Sequence, residues 1–142
     1  MDFGVEIPFV HHLGFVLRRF DSGESELAYE TRPEHLNSNG ITHGGLSMTL
    51  LDVAMAVAAR SVQKDMGVVT IEMKTSFMHA ARGALTAKGH LLKRTGSMAF
   101  VEGSIWNEQG QLCAHATGTF KYVRRTEANN GGTGSAGAIT TD

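Results

Sequence analysis

The stretch Asn37-Ser38-Asn39-Gly40-Ile41-Thr42-His43-Gly44-Gly45-Leu46-Ser47-Met48-Thr49-Leu50-Leu51-Asp52 decides how this chain folds. It starts as a polar loop and ends inside a helix. From about Gly45 to Val62, residues Leu46, Leu50, Val53 and Val57 recur at helical spacing, and Ala54, Ala56, Ala58 and Ala59 favour that conformation. Met48, Leu51 and Met55 make the opposite face apolar as well. A helix that is apolar almost all round is buried on most sides, so the remaining chain is expected to wrap it.

Strand patterns lie on both sides of the helix. His12 to Phe20 carries Leu13, Phe15 and Leu17 in alternation and predicts a strand; His11 and His12, being adjacent, would then project to opposite faces. Asp21-Ser22-Gly23-Glu24 reads as a turn, Leu27, Tyr29 and Thr31 as a second strand, and Pro33 as its end. After Lys64-Asp65-Met66-Gly67 the chain is strands. Val69, Ile71, Met73, Thr75 and Phe77 fall on one face, with Thr70, Glu72, Lys74 and Ser76 opposite. A strand from Gly83 to about Arg94, another from Met98 to Trp106, and a last from Leu112 to Val123 follow, the last placing Leu112, Ala114, Ala116, Phe120 and Tyr122 on one face. Asn107-Glu108-Gln109-Gly110 suits a hairpin loop. An antiparallel sheet curled round one helix satisfies this layout, an α+β domain over residues 1–125. Residues 126–142, rich in Gly, Thr, Asn and Ala, lack the apolar content to repay ordering and are expected to form a disordered tail.

Composition narrows the function. The 142 residues carry a formal net charge of −1, with basic residues scattered rather than striped, so no nucleic-acid footprint is present. Cys113 is the single cysteine, which suits a reducing cytosol, and the N-terminus lacks the pattern of a signal peptide. The longest apolar stretch, Leu46 to Ala59, is interrupted by Asp52 and falls short of the ~20 residues of a bilayer span. A cytoplasmic protein without membrane contact is expected. The seven histidines show no ligand spacing, so no metal is expected. No Gly-x-Ser-x-Gly elbow occurs, and Ser47 lies inside the helix, which disfavours a serine hydrolase. Cys113 and His115 would share a strand face, yet a lone strand cysteine is far more often packing than nucleophile.

Two features carry chemistry. Asp52 is the one charged residue between His43 and Arg60, and a buried carboxylate is costly unless paired, hydrogen-bonded or functional. The first backbone N–H groups of the helix, at His43-Gly44-Gly45, have no internal partner and sit at the positive end of the dipole. Glycine there lets a ligand approach the backbone, and such an N–H stabilises a carbonyl oxygen gaining charge; a merely flexible Gly-Gly turn is the plain alternative. Gly44 and Asp52 are eight residues apart, ~12 Å along a helix. If both act on one carbonyl, the site needs two antiparallel copies of the helix, hence a dimer at least, with shared sites.

Asn37, then His43-Gly44-Gly45, then Asp52 resembles the phenylacetate-pathway (PaaI-like) hotdog-fold acyl-CoA thioesterases. The likeness extends through Gly67-Val68-Val69-Thr70-Ile71-Glu72-Met73 to Thr117-Gly118-Thr119-Phe120, covering most of residues 10–125. It implies hydrolysis of an acyl-CoA, with an aromatic acyl group suggested, across the interface of a dimer or dimer of dimers and without metal or cofactor. Gly44 N–H, assisted by Asn37, would polarise the thioester carbonyl. Asp52 of the partner chain would act as general base or nucleophile, and His43 would orient substrate or departing thiolate. Thr70 stands where the family often places a hydroxyl that positions the attacking water, although strict alternation sets it beside Glu72 and Lys74, away from the apolar face. Gly45, Phe77 and Met78 are the candidate substrate-binding positions. His79-Ala80-Ala81-Arg82 replaces a segment where relatives often carry a proline, so the acyl pocket is expected to differ in shape. None of Arg82, Lys88, Lys93, Arg94 or Arg124 is distinguished from ordinary surface charge as a contact for the CoA phosphates. A hotdog dehydratase or hydratase and a noncatalytic acyl-CoA-binding module are the competing classes; Gly-Gly after His43 speaks against the first and Asp52 against the second.

Overall fold

The computed structural model describes residues 1–125; the expected tail lies outside the described residues. The elements are α1 (Pro8–Leu13), β1 (Val16–Asp21), β2 (Glu24–Glu30), a 3-10 turn at Pro33–His35, α2 (Gly44–Arg60), β3 (Met66–Phe77), β4 (Ala84–Arg94), β5 (Met98–Trp106) and β6 (Leu112–Arg124). The strands form one six-stranded sheet in the order β1-β2-β4-β5-β6-β3, antiparallel throughout. It wraps α2, whose Leu50, Leu51, Ala54, Met55, Ala58 and Ala59 are fully buried. Each such leucine contributes about 1.5–3 kcal/mol by leaving water.

Small residues set how near the helix can lie. A Cβ at Gly89 on β4 would run into the Ala54 carbonyl oxygen and Ser25 Oγ; one at Gly103 on β5 would stand 3.0 Å from Met55 Cγ. Ser25 Oγ donates to the Ala54 carbonyl at 2.6 Å, joining helix and sheet by a buried polar contact. The far end of the helix is closed similarly. Tyr122 donates its hydroxyl to the Ala59 carbonyl at 2.6 Å, and Ser61 Oγ donates to Ala58 O while accepting from Gly23 N–H. These contacts occupy carbonyls that a helix terminus otherwise leaves open.

Three expectations are corrected. The strand expected over His12–Phe20 is split. Pro8–Leu13 forms a short helix, with proline at its first turn and Gly14 at φ 80° ending it, and β1 starts at Val16. That is the asymmetric helix signature of Pro at the start and Gly just past the end, and it places His11 and His12 on a helix. In β3, a bulge between Thr70 and Glu72 breaks the alternation. Val68 and Thr70 pair with buried Tyr122 and Phe120, Met73 and Thr75 continue that face, and Ile71 turns out to 53% exposure. A further bulge between Ile105 and Trp106 sends Leu112 to the convex side, where it borders a pocket with His115, while Cys113 borders a pocket beneath the sheet beside Ala114. Cys113 and His115 therefore do not share a face.

Gly89→Ala is expected to destabilise by about 3 kcal/mol, high in the usual range for overpacking, because the obstructing atom is backbone that cannot turn away. A urea midpoint lowered at unchanged slope would measure it.

Candidate active site

Asp52 sits on the one polar edge of α2, facing β3. Its carboxylate accepts a hydrogen bond of 2.6 Å from Thr70 Oγ1, and its other oxygen has no partner among the described residues. Thr70 pairs with buried Phe120 and lies on the helix-facing side, and the bulge at Ile71 brings Met73 and Thr75 onto that same side after it. Burial pushes the Asp52 carboxyl above the ordinary carboxylate range; the Thr70 hydrogen bond opposes the rise without cancelling it.

The opposite end of α2 is built from the loop 36–43. Asn37 Oδ1 accepts the backbone N–H groups of Asn39 and Ile41 at 2.9 and 3.2 Å, and Asn37 N–H donates to Ile41 O. The side-chain oxygen is thus spent on the turn, leaving the amide NH2 as the group free to meet a ligand. His43 caps the helix, its Nδ1 accepting the Gly45 N–H at 2.8 Å. A lone pair is required on that nitrogen, so a neutral His43 carries its proton on Nε2. His43 N–H donates to His35 O, and Thr42 N–H to Ala81 O, which tie the loop to its neighbours. The Gly44 N–H alone of this first turn finds no acceptor among the described residues.

Gly44 need not be glycine for the fold. Its position is helical, and a Cβ there would meet only the Phe77 ring at 3.5 Å, an ordinary contact. At Gly45 a Cβ would press to 3.1 Å on His43 Nδ1, so Gly45 serves the cap.

The expected residues fall into separate cavities of the single chain. Asn37, Gly44, Phe77 and Met78 line one of about 400 Å³, together with His79, Ala80 and Ala81 of the segment that departs from the family pattern. His43 and Gly45 turn into a neighbouring pocket with Phe9 and His35. Asp52 and Thr70 line a third, of about 320 Å³, which runs between α2 and β3 past Val53, Ala56, Val57 and Val68. One chain therefore brings Asp52 to Thr70, and Asn37 to Gly44, Phe77 and Met78, but not the two groups to each other.

Two residues of the third cavity escaped the sequence reading, Arg60 and Arg125. Arg60 is 5% exposed and donates to the Phe3 and Met66 carbonyls. Arg125 donates to the same Met66 carbonyl, and its Nε is buried without a partner among the described residues. Burial, then the neighbouring Arg125 charge, lowers Arg60 to about 10, which leaves it cationic at neutral pH. A buried arginine at the end of an apolar helix was the available signal. Cys113 stays a packing residue: burial raises its thiol, away from thiolate character.

Residues 39–114 match the family described as the thioesterase superfamily. The chain belongs to the thioesterase superfamily. This superfamily member is a thioester hydrolase with the hotdog architecture. It is 26% identical to the medium/long-chain acyl-CoA thioesterase YigI of Escherichia coli, over 83% of this chain and 87% of that protein. A mutant form of the phenylacetic acid degradation protein PaaI from Thermus thermophilus superposes with a TM-score of 0.74 at 26% identity, covering 81% of this chain and 98% of that one. A conserved Pseudomonas aeruginosa protein shares the fold at TM-score 0.80 and 24% identity, over 84% of this chain and 97% of that one. No helix among the described residues is long and apolar enough to cross a membrane.

Gly44→Ala is expected to leave the melting temperature unchanged or raised, since Ala is favoured over Gly within a helix. If the Gly44 N–H receives the thioester carbonyl, turnover should nonetheless fall at least about tenfold, since the added methyl would crowd that position. Asp52→Asn bears on stability. A carboxyl raised in the folded state favours folding while protonated and loses that contribution as pH rises through the raised value. The Asn variant should therefore melt higher than the native protein at neutral pH, and the difference should vanish below the ordinary carboxylate range. Melting curves across pH 3–8 would show it.

Proposed function

We propose that this thioesterase hydrolyses acyl-CoA at a site assembled from two copies of the chain. The observation that carries this reading is Asp52, a half-buried carboxylate raised by burial and held by Thr70, on an otherwise apolar helix. Gly44 N–H and the Asn37 amide of one copy receive the carbonyl oxygen. Asp52 of the second copy takes a proton from water as that water adds to the carbonyl carbon. The C–S bond then breaks, and the thiolate leaves with a proton. His43 Nε2–H faces the departing side. A thioester already has a good leaving group, so one carboxylate and preorganised donors suffice, without metal or cofactor.

Distance supports sharing between copies. Gly44 and Asp52 lie ~12 Å apart along one helix, too far for one carbonyl, and they open into different cavities. The surface near them suits a second copy. β3 is a sheet edge, and Ile71, Phe77 and Met78 on or beside it are 53%, 55% and 54% exposed. A long edge strand left open, with exposed apolar side chains along it, invites pairing. Antiparallel docking of two such edges would set Gly44 of each helix against Asp52 of the other.

The acyl chain occupies the groove beyond Asp52, walled by Val53, Ala56, Val57 and Val68. A small aromatic acyl group, as the PaaI likeness suggests, would fill only its near part. A medium-length chain fills it, in keeping with the name of the YigI relative.

Thiol release from medium-chain acyl-CoA, followed with a thiol reagent, should be rapid for the native protein and abolished in Asp52→Asn. Acyl-CoA binding without thiol release would identify a binding module instead, and loss or gain of water with the thioester intact a dehydratase or hydratase. Sharing is tested by mixing. Asp52→Asn and Gly44→Ala proteins, unfolded together and refolded in equal amounts, should recover roughly a quarter of native activity, because mixed dimers retain one intact site. No recovery, with mixed dimers shown to form, would place each site within one chain.

A further inference from the structure

The groove that starts at Asp52 ends on two positive charges. Arg60, at the last turn of α2, and Arg125, just past β6, both line it, and both donate to the Met66 carbonyl, at 3.4 and 2.9 Å. Two guanidinium groups thus converge on one neutral acceptor. Among the described residues, Arg60 has as further partners the Phe3 carbonyl at 3.0 Å and the face of Phe20, its Cζ 5.2 Å from the ring centre. Neither arginine forms an ion pair with a described residue. Asp65 influences Arg125 from beyond ion-pair distance, and Glu6 at the rim is exposed.

Burying a cation without an anion is costly, and placing a second beside it costs more. Hydrophobic packing would have sealed the groove at lower cost, since the intervening wall is Val53, Ala56, Val57 and Val68. Arginine offers a planar fork that binds carboxylate in two places, and two such forks side by side make a receptor of defined direction. The separation from the catalytic end is also defined. Asp52 and Arg60 are eight positions apart on the helix, ~12 Å, and β3 runs alongside with Thr70 next to Asp52 and Met66 next to the arginines.

We propose that Arg60 and Arg125 form an anion receptor at the distal end of the acyl groove, making the preferred substrate a medium-length acyl-CoA whose chain ends in a carboxylate. The assignment rests on the thioesterase reading of the Asp52 site and adds to it the class of acyl group. The valine and alanine walls hold the methylene run, and the arginines receive the terminal carboxylate. A neutral chain of the same length would leave the guanidinium groups desolvated with no counter-anion among the described residues, so the pocket discriminates by what the neutral chain lacks.

The test compares kcat/KM for straight-chain acyl-CoAs of about eight to ten carbons, the length that spans ~12 Å, with their ω-carboxyl counterparts. The native protein should favour the ω-carboxyl substrate by about tenfold or more, the scale of a charge-assisted hydrogen bond. Arg125→Gln should bring the ratio of the two kcat/KM values down toward one, chiefly by lowering kcat/KM for the ω-carboxyl substrate, because the residue that meets the terminal carboxylate is lost. Arg60 also holds Phe3, so Arg60→Lys, which keeps the charge and loses the fork, is the companion variant and should retain only part of the preference. Calorimetric binding of the same two substrates to Asp52→Asn protein reads the receptor without turnover. Preferential ω-carboxyl binding there, with no hydrolysis by the native protein, would support the receptor while removing the thioesterase reading. Equal or better use of the neutral chain by the native protein would overturn the receptor. So would an Arg125→Gln variant that lost free-CoA affinity with acyl preference unchanged, since the arginines would then serve a coenzyme phosphate.

Discussion

The backbone of α2 lies so near β4 that a single methyl at Gly89 would run into the Ala54 carbonyl. Ser25 Oγ, bonded to that carbonyl at 2.6 Å, holds the helix at this distance. Interiors are packed densely enough that such a seat leaves the helix no freedom to slide or roll. The consequences reach both ends of the site. With the apolar faces of α2 sunk into the sheet, the strip bearing Met48, Asp52 and Val53 is what remains along β3, and the Gly44 end is carried out to the loop 36–43.

That strip explains why a carboxylate survives on such a helix. Asp52 is neither paired with a cation nor placed in open water, and its raised titration is the mark of the free energy this costs. Thr70 offsets part of the cost with one hydrogen bond and leaves the second carboxylate oxygen available. A group tuned in this way suits proton transfer better than stability. Burial, the polar edge of the helix and the β3 bulge all contribute: the extra residue at Ile71 lets Thr70 share the inner face with Met73 and Thr75.

On the proposed reading, the same geometry divides labour along the helix. The N-terminal turn offers a free backbone N–H, and the middle offers the carboxylate. The last turn offers the Arg60 cation at the end of an apolar groove, with Arg125 beside it from past β6. An α-helix is stiff, so these three functions keep fixed spacings. A second antiparallel copy would cross the first two at a shared carbonyl while leaving the third to gauge what the acyl chain carries at its tip.

Much of this was legible before folding. The helix from Gly44 to Arg60 showed in its apolar periodicity, because burial on most sides leaves a nearly unbroken apolar record with Asp52 as its exception. Hairpin turns at Ser22-Gly23 and Asn107-Gly110 showed in residues that tolerate positive φ. Strand order did not, since β3 pairs with β6 across two intervening strands and nothing local records which edge a strand will take. Bulges were equally hidden: one extra residue shifts every later side chain to the other face, and Ile71 looks like any other strand residue until Thr70 and Glu72 must pair with Phe120 and Thr119. The resemblance named Thr70 against the alternation, and the bulge removes the conflict. Sequence alone thus determined the fold class and singled out the candidate residues for chemistry, because periodicity, capping and an isolated charge are local properties. Tertiary structure decided which of those residues meet, that Asp52 and Gly44 of one chain do not, and that Arg60 and Arg125 do, because meeting depends on pairing between segments far apart in the chain.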